Sequence, residues 1–201
     1  MTGHLIIRDW EEVYHDTPPW DIGRPQPAFE GLVKDREIKP GRILDSGCGT
    51  GENALLLAQN GSTVTGIDLA GEAIARAKTK AKERHIAADF VQGNVTGLDR
   101  YFSPGSFDTA IDCGLFHVLS DEDRPVYAGQ VREVLKPGGG YFMLCFSDKE
   151  PGTWGPRRVS AREIEQIFSP LFSINYIKDS YFLSRSGDGN PKAYLLSATK
   201  I

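Results

Sequence analysis

The stretch Arg42-Ile43-Leu44-Asp45-Ser46-Gly47-Cys48-Gly49-Thr50-Gly51-Glu52-Asn53 decides the fold, and Ala54-Leu55-Leu56-Leu57-Ala58 follows it. Strand-compatible residues run into alternating glycines, and the apolar run beyond them reads as helix. Glycine takes φ > 0 freely and has no Cβ to hold a ligand away from the backbone. A glycine turn that opens a helix also aims free backbone N–H groups into the space before it. Strand, tight turn and helix in this order mark a ligand site at the carboxyl end of a parallel strand.

The spacing of the glycines narrows the ligand. A dinucleotide fingerprint is G-x-G-x-x-G, but here the glycines are Gly47, Gly49 and Gly51, and Glu52 takes the place of the third. Glutamate is a poor neighbour for a pyrophosphate. Asp45 would suit a cationic amine. Asp68, which closes Val64-Thr65-Gly66-Ile67, would accept hydrogen bonds from two ribose hydroxyls. An amine at one end and a ribose at the other, with no phosphate clamp, describe S-adenosylmethionine better than NAD.

Asp-x-Gly-x-Gly-x-Gly followed by an acidic residue ending the next strand resembles the class I S-adenosylmethionine-dependent methyltransferases. The likeness continues through Asp89-Phe90-Val91-Gln92-Gly93-Asn94-Val95, Ser106-Phe107-Asp108-Thr109-Ala110-Ile111-Asp112 and Leu135-Lys136-Pro137-Gly138-Gly139-Gly140-Tyr141-Phe142-Met143, in that family's order. It implies an α/β fold: a Rossmann-like, seven-stranded, mostly parallel sheet with helices on both faces and an antiparallel C-terminal strand pair. It implies S-adenosyl-L-methionine as cofactor and S-adenosyl-L-homocysteine as product. A methyl group would pass to an S, O or N atom of a small molecule by in-line displacement. The cofactor positions so implied are Asp45, Gly47, Cys48, Gly49, Gly51, Asp68, Leu69, Asn94, Val95, Asp112 and Cys113. Asn94 stands where the family usually has Asp, and its carbonyl can still accept from the adenine amino group.

Two further segments, Trp20-Asp21-Ile22-Gly23-Arg24-Pro25 and Ile111-Asp112-Cys113-Gly114-Leu115-Phe116-His117, are similar to the branch with thiol, halide and thiopurine enzymes. There, N-terminal aromatics cover the cofactor, a role that falls here on Tyr14 and Trp20. An aromatic face beside a sulfonium gains ~1–2 kcal/mol by cation–π attraction.

Along the chain, residues 1–40 read as a flap, 41–146 as the nucleotide-binding core, and 147–201 as a substrate-side loop with closing strands, all in one domain. The flap holds a short helix at 9–14, a stiff Pro-rich loop at 17–27 and a helix over 28–36. In the core, strands at 42–46, 63–68, 90–92, 109–111 and 140–146 alternate with helices over 52–60, 70–84 and from Ser120 or Asp121 to Leu135, the last stopped by Pro137-Gly138-Gly139. Ser160 and Glu163 form a possible capping box for a helix to Phe168. Strands at 172–177 and 193–199 close the sheet through a turn at Ser186-Gly187-Asp188-Gly189-Asn190.

A formal net charge of −4 with no basic block leaves nucleic-acid binding unsupported. No apolar run reaches the ~20 residues of a membrane span, and Met1-Thr2-Gly3-His4 is no signal peptide. Cys48, Cys113 and Cys145 are too scattered for a metal site and suit a reducing cytoplasm. The expectation is a cytoplasmic monomer or weak dimer that binds no metal, nucleic acid or membrane and takes a small acceptor, a thiol or an aromatic hydroxyl among the candidates.

Methyl transfer from a sulfonium mainly requires the nucleophile to be held in line. A base is needed only for a weakly acidic acceptor. His117, just past the fourth strand, is a candidate base or a satisfied histidine at a helix start. Asp112 is the other candidate, to act as base or to hold substrate or the cofactor's methionyl end. Arg157 and Arg158, with Trp154, Phe116 and Tyr181, suggest a partly aromatic acceptor pocket, though a solvated arginine pair reads equally well. Two other readings stay open at this stage: a NAD(P)-dependent oxidoreductase, and a non-catalytic nucleotide-binding protein on the same fold.

Overall fold

Among the described residues of the computed structural model, 9–185 and 189–201, seven strands form one sheet. They are β1 (Arg42–Ser46), β2 (Thr63–Asp68), β3 (Asp89–Gln92), β4 (Phe107–Cys113), β5 (Leu135–Phe146), β6 (Phe172–Tyr181) and β7 (Lys192–Lys200). The helices are α1 (Trp10–Val13), α2 (Pro27–Lys34), α3 (Glu52–Gln59), α4 (Gly71–Glu83), α5 (Asp123–Val134) and α6 (Ala161–Phe168). The expectations placed on Met1-Thr2-Gly3-His4 and on the turn at Ser186-Gly187-Asp188 lie outside the described residues.

The spatial order is β3-β2-β1-β4-β5-β7-β6. The first five strands pair in parallel, and β7 lies antiparallel between β5 and β6. This is the mostly parallel sheet with an antiparallel closing pair that the motifs imply. The order reverses between β1 and β4, and the crevice outside their carboxyl ends is where open α/β sheets bind ligands.

Side chains alternate across the strands, which sorts the core into two layers. Ile43, Ile111, Leu144 and Leu195 pack with Phe29 and Leu32 of α2, Leu55 of α3 and Ala77 of α4. Their neighbours Leu44, Ala110, Met143 and Leu196 pack on the other face with Val131 of α5 and Phe168 of α6. Each such fully buried Leu, Ile or Phe contributes roughly 1.5–3 kcal/mol, so both faces are held firmly enough to fix the strand ends that carry the crevice.

Two boundaries differ from expectation for physical reasons. Helix α2 starts one residue earlier, at Pro27, because a proline's missing N–H costs nothing at the first helical position. It ends before Arg36, whose φ of +58° no helix can hold. Strand β5 begins at Leu135, so Pro137-Gly138-Gly139 is carried within it rather than separating it from α5. The register breaks there, pairing Leu135 with Phe107 and Gly140 with Thr109. Ser160 and Glu163 form the expected capping box, each side chain accepting from the other's backbone N–H at 3.2 and 3.0 Å.

Candidate functional site

The glycine loop has the backbone its composition demands: φ is +65° at Gly47, +52° at Gly49 and +85° at Gly51. A Cβ on Gly49 would stand 2.8 Å from the Tyr14 hydroxyl, and one on Gly47 2.8 Å from the Leu115 Cβ. The loop is therefore sandwiched between the N-terminal segment and the chain leaving β4. Asp68 ties it to the end of β2: one carboxylate oxygen accepts from the Gly49 N–H at 2.8 Å and the other from the Ala70 N–H at 2.9 Å.

The N-terminal segment docks through its polar atoms. Trp20 Nε1 donates to the Tyr14 hydroxyl at 3.3 Å, and the Trp10 and Trp20 rings meet edge to face at 6.4 Å. Tyr14 is buried, whereas Trp20 stays 39 % exposed in the outer layer. Glu11 accepts from the Gly71 and Glu72 N–H groups at 2.7 and 3.0 Å, a cap that α4's own preceding residue, Ala70, cannot supply. Gln26 accepts from the Leu183 N–H and donates to the Leu183 carbonyl, at 2.8 and 3.0 Å, and so links this segment to the chain after β6.

Asp45 is the anomaly. It is 1 % exposed, and neither carboxylate oxygen has a hydrogen-bond partner among the described residues. The Ala54 N–H of α3 leans toward it without reaching bonding geometry. Burial, then the nearby Asp112 and Asp68, push its pKa well above the ordinary carboxylate range. A buried carboxylate without a partner costs several kcal/mol unless something compensates it. None of the ion pairs among the described residues involves Asp45, Asp68 or Asp112. The crevice thus holds Asp45 and Asp68 with no cationic partner among the described residues, an environment complementary to a cation and hostile to a pyrophosphate. Glu52 faces away from it, held by Arg84 at 2.7 Å and Lys80 at 2.8 Å.

Asp112 requires a correction. Strand parity turns it to the face opposite Asp45, where it is fully buried and bonded within the core. Its Oδ1 accepts from the Leu115 N–H at 2.9 Å, and its Oδ2 from the Tyr141 hydroxyl at 3.4 Å, with Tyr127 3.5 Å beyond. Burial outweighs these bonds and pushes its pKa up to about 7. A folded-state value above the unfolded one means that the group stabilises the fold at low pH and loses that contribution as pH rises from about 4 through 7. In urea titrations, wild type is expected to lose about 2 kcal/mol between pH 5 and 7 relative to Asp112→Asn. Parallel pH profiles for the two would place this proton elsewhere.

Asn94 is corrected too. Its side-chain carbonyl accepts from both the N–H and the hydroxyl of Thr96, each at 2.9 Å, and so caps a 3-10 turn instead of offering a free acceptor. Of the remaining positions, Val95 is buried, and Leu69 is 53 % exposed at the crevice edge next to Asp68. Cys48 packs against Gly66. Cys113 shares the Asp45 face and lies near Asn53, and burial raises both thiols so that they stay protonated. No group of three or more metal-ligand side chains occurs among the described residues, and no helix there is long and apolar enough to cross a membrane.

His117 is held from both sides. Its Nδ1 accepts from the Phe146 N–H at 3.0 Å, so the imidazole proton resides on Nε2. Burial, then Arg124, lower its pKa to about 3. Arg124 is the residue that sequence reasoning missed. It lies fully buried, donating to the Phe116 carbonyl at 3.1 Å, the His117 carbonyl at 3.5 Å and Asp121 at 3.0 Å. Within Asp121-Glu122-Asp123-Arg124 it reads as surface, and only its i,i+3 acid hints at a paired role.

The suggested aromatic pocket is redistributed. Phe116 is core, packed on Phe168 at 5.4 Å, and Arg157 pairs with Glu163 at 2.7 Å and Asp121 at 3.2 Å. Tyr181 is exposed. Phe146 is the centre instead: it meets Trp154 at 5.6 Å, His117 at 5.7 Å and Phe182 at 6.3 Å. The Arg158 guanidinium lies 5.0 Å over Phe146 and 5.7 Å from Trp154, bonded only to carbonyl oxygens of residues 150–156.

Known proteins resemble this chain along most of its length. Residues 43–139 match a methyltransferase domain family. A 2-heptyl-1-hydroxyquinolin-4(1H)-one methyltransferase of Mycobacteroides abscessus is 36 % identical, over 86 % of this chain and 75 % of that protein. A probable thiol methyltransferase of Arabidopsis thaliana is 31 % identical over 81 % of this chain and 72 % of its own length. A solved structure from work on converting a disulfide bond into a thioacetal group during echinomycin biosynthesis superposes with a TM-score of 0.84 at 30 % identity, covering 95 % of this chain and 91 % of the other.

Proposed function

This chain belongs to the S-adenosylmethionine-dependent methyltransferases that act on small molecules; on that premise we propose that its acceptor is a thiol or an acidic aromatic hydroxyl, held at the aromatic wall around Phe146. The observation that carries the cofactor half of this reading is Asp45, whose two unpartnered, buried oxygens await a cation. The site fits S-adenosylmethionine on this chain's own features. Asp45 would answer the ligand's positive charge. Asp68, already fixed by two backbone N–H groups, keeps free lone pairs for ribose hydroxyls. Gly49 leaves the room that a Cβ would fill, and Tyr14 and Trp20 would cover the ligand with aromatic faces. Gly47, Gly51, Cys48, Leu69, Val95 and Cys113 would complete the surround. When bound, this cofactor supplies a methyl group on positively charged sulfur, already activated for displacement.

The chain's own task is then to align the reactants and keep water out. Residues 1–40 would serve as the cover, 41–146 as the cofactor-binding core and 147–201 as the acceptor side. The names of the two relatives, a hydroxyquinolone and a thiol enzyme, support an acceptor with an ionisable O–H or S–H. Incubation with S-adenosylmethionine and separate panels of thiols, hydroxyquinolones and alkyl amines tests this. S-adenosylhomocysteine formation with thiols or hydroxyquinolones is expected; turnover confined to amines would overturn the acceptor assignment. Asp68→Ala is expected to weaken cofactor binding by about 1–3 kcal/mol, because ribose hydroxyls lose an acceptor. Unchanged affinity in a calorimetric titration would place the ribose elsewhere.

A further inference from the structure

We propose that His117 is a fixed hydrogen-bond donor to an anionic acceptor, its Nε2–H holding the nucleophilic atom or a conjugated oxygen beside it, and that the enzyme therefore selects acceptors that arrive already ionised. This rests on the reading above and names the substrate class more narrowly. Three observations carry it. First, the Phe146 N–H occupies Nδ1 at 3.0 Å. A neutral imidazole with one nitrogen accepting presents the other as a donor, so the nitrogen left over has no lone pair with which to take a proton. Second, Nε2 has no partner among the described residues, yet it is not sealed in: His117 keeps 7 % of its surface, and Nε2 is absent from the buried atoms lacking a bond. A Cβ built on Gly114, at the carboxyl end of β4, would lie 3.8 Å from this Nε2 and 3.7 Å from the Phe182 ring. The donor thus lies just past the carboxyl end of β4, between the rings of Phe146 and Phe182. Third, the cation nearest those walls, Arg158, bonds among the described residues only to carbonyl oxygens and has no carboxylate partner there.

An aromatic surround with a neutral N–H donor and a guanidinium without a carboxylate partner favours a planar anion over its conjugate acid. The acceptor's proton leaves to water before it binds, and no side chain has to receive it. The groups facing His117 agree with this: Arg124 behind it disfavours an imidazolium, and Phe146 and Phe182 offer no proton.

The test uses 4-nitrophenol, whose yellow phenolate reports its own ionisation, as a binding probe without cofactor. It also uses a series of substituted thiophenols as methyl acceptors. Wild type is expected to bind the phenolate and lower the probe's apparent pKa. Over the thiophenol series, kcat/KM at fixed pH is expected to rise with the ionised fraction. His117→Gln, which can keep an N–H donor, is expected to retain both behaviours within about threefold. His117→Phe is expected to lose about 10- to 100-fold in kcat/KM, the range for a hydrogen bond to a charged group. Calorimetric affinity for S-adenosylhomocysteine is expected to stay the same in both variants.

If His117→Gln is as inactive as His117→Phe, or if His117→Phe matches wild type in both assays, the donor role is overturned. Binding of the neutral phenol would overturn it as well. S-adenosylhomocysteine binding without turnover of any thiophenol would overturn this inference and spare the family reading. Failure to bind S-adenosylhomocysteine would instead strike the reading beneath it.

Discussion

Replacing Asp45 by Asn is expected to lower affinity for S-adenosylmethionine about 100-fold, ~3 kcal/mol, the range seen when one partner of a buried charge pair is removed. The same substitution is expected to raise the melting temperature of the ligand-free protein. Both effects follow from one fact: Asp45 is buried with no partner and with two other carboxylates nearby. Without ligand it holds a burden that the amide removes; with a cationic ligand, that burden becomes the binding energy. The pKa of Asp45 is shifted upward, so the free protein stabilises its protonated form, and an incoming cation displaces that proton. Affinity should therefore rise with pH until Asp45 ionises unaided, and Asp45→Asn should flatten that rise. Calorimetry in buffers of different ionisation enthalpy would count the released proton. Unchanged affinity together with unchanged melting would mean that Asp45 faces no ligand.

Arg124→Met is expected to have the largest effect on stability, about 3–5 kcal/mol, because it leaves two buried carbonyl oxygens without their donor. In a chain of 201 residues that corresponds to a fall of roughly 10 °C in melting temperature. The Phe116 and His117 carbonyls lose their donor, and Asp121 and Glu163 lose a buried cation. Acceptor KM is expected to rise in whatever protein remains folded, since the His117 segment is the one released. Arg132→Met is the control. Arg132 reaches only the chain's terminal carbonyl group, at 3.3 Å on the surface, and surface changes of this kind stay within about 0.5 kcal/mol. Equal melting for the two variants would show Arg124 to be dispensable.

Legibility followed the backbone. Glycine positions, the spans of the core strands and the capping box at Ser160 were readable because each rests on local rules: φ > 0, an apolar run bounded by turns, a side chain within reach of a neighbouring N–H. What failed required knowing which way a side chain points. Asp112 is the penultimate residue of β4 just as Asp45 is of β1, and both read as site carboxylates. Parity separates them, since Asp112 shares the Ala110 face and Asp45 the Ile43 face. Counting from the neighbouring strands could have found that. Asn94 with Thr96 two residues on is a turn-capping signature, but the pattern around it drew attention to a ligand instead. Arg124 and the donor state of His117 were out of reach, because each depends on carbonyls or N–H groups brought from another segment by the folded chain. The start of β5 was hidden by Pro137-Gly138-Gly139, which breaks most strands but here sits at a register shift.

An isothermal titration of the wild-type chain and Asp45→Asn with S-adenosylhomocysteine and NAD tests the acidic crevice most directly. The expected result is one saturable site for S-adenosylhomocysteine on wild type, about 100-fold weaker on the variant, and no heat from NAD on either. Saturable NAD binding, or S-adenosylhomocysteine affinity indifferent to Asp45, would contradict it.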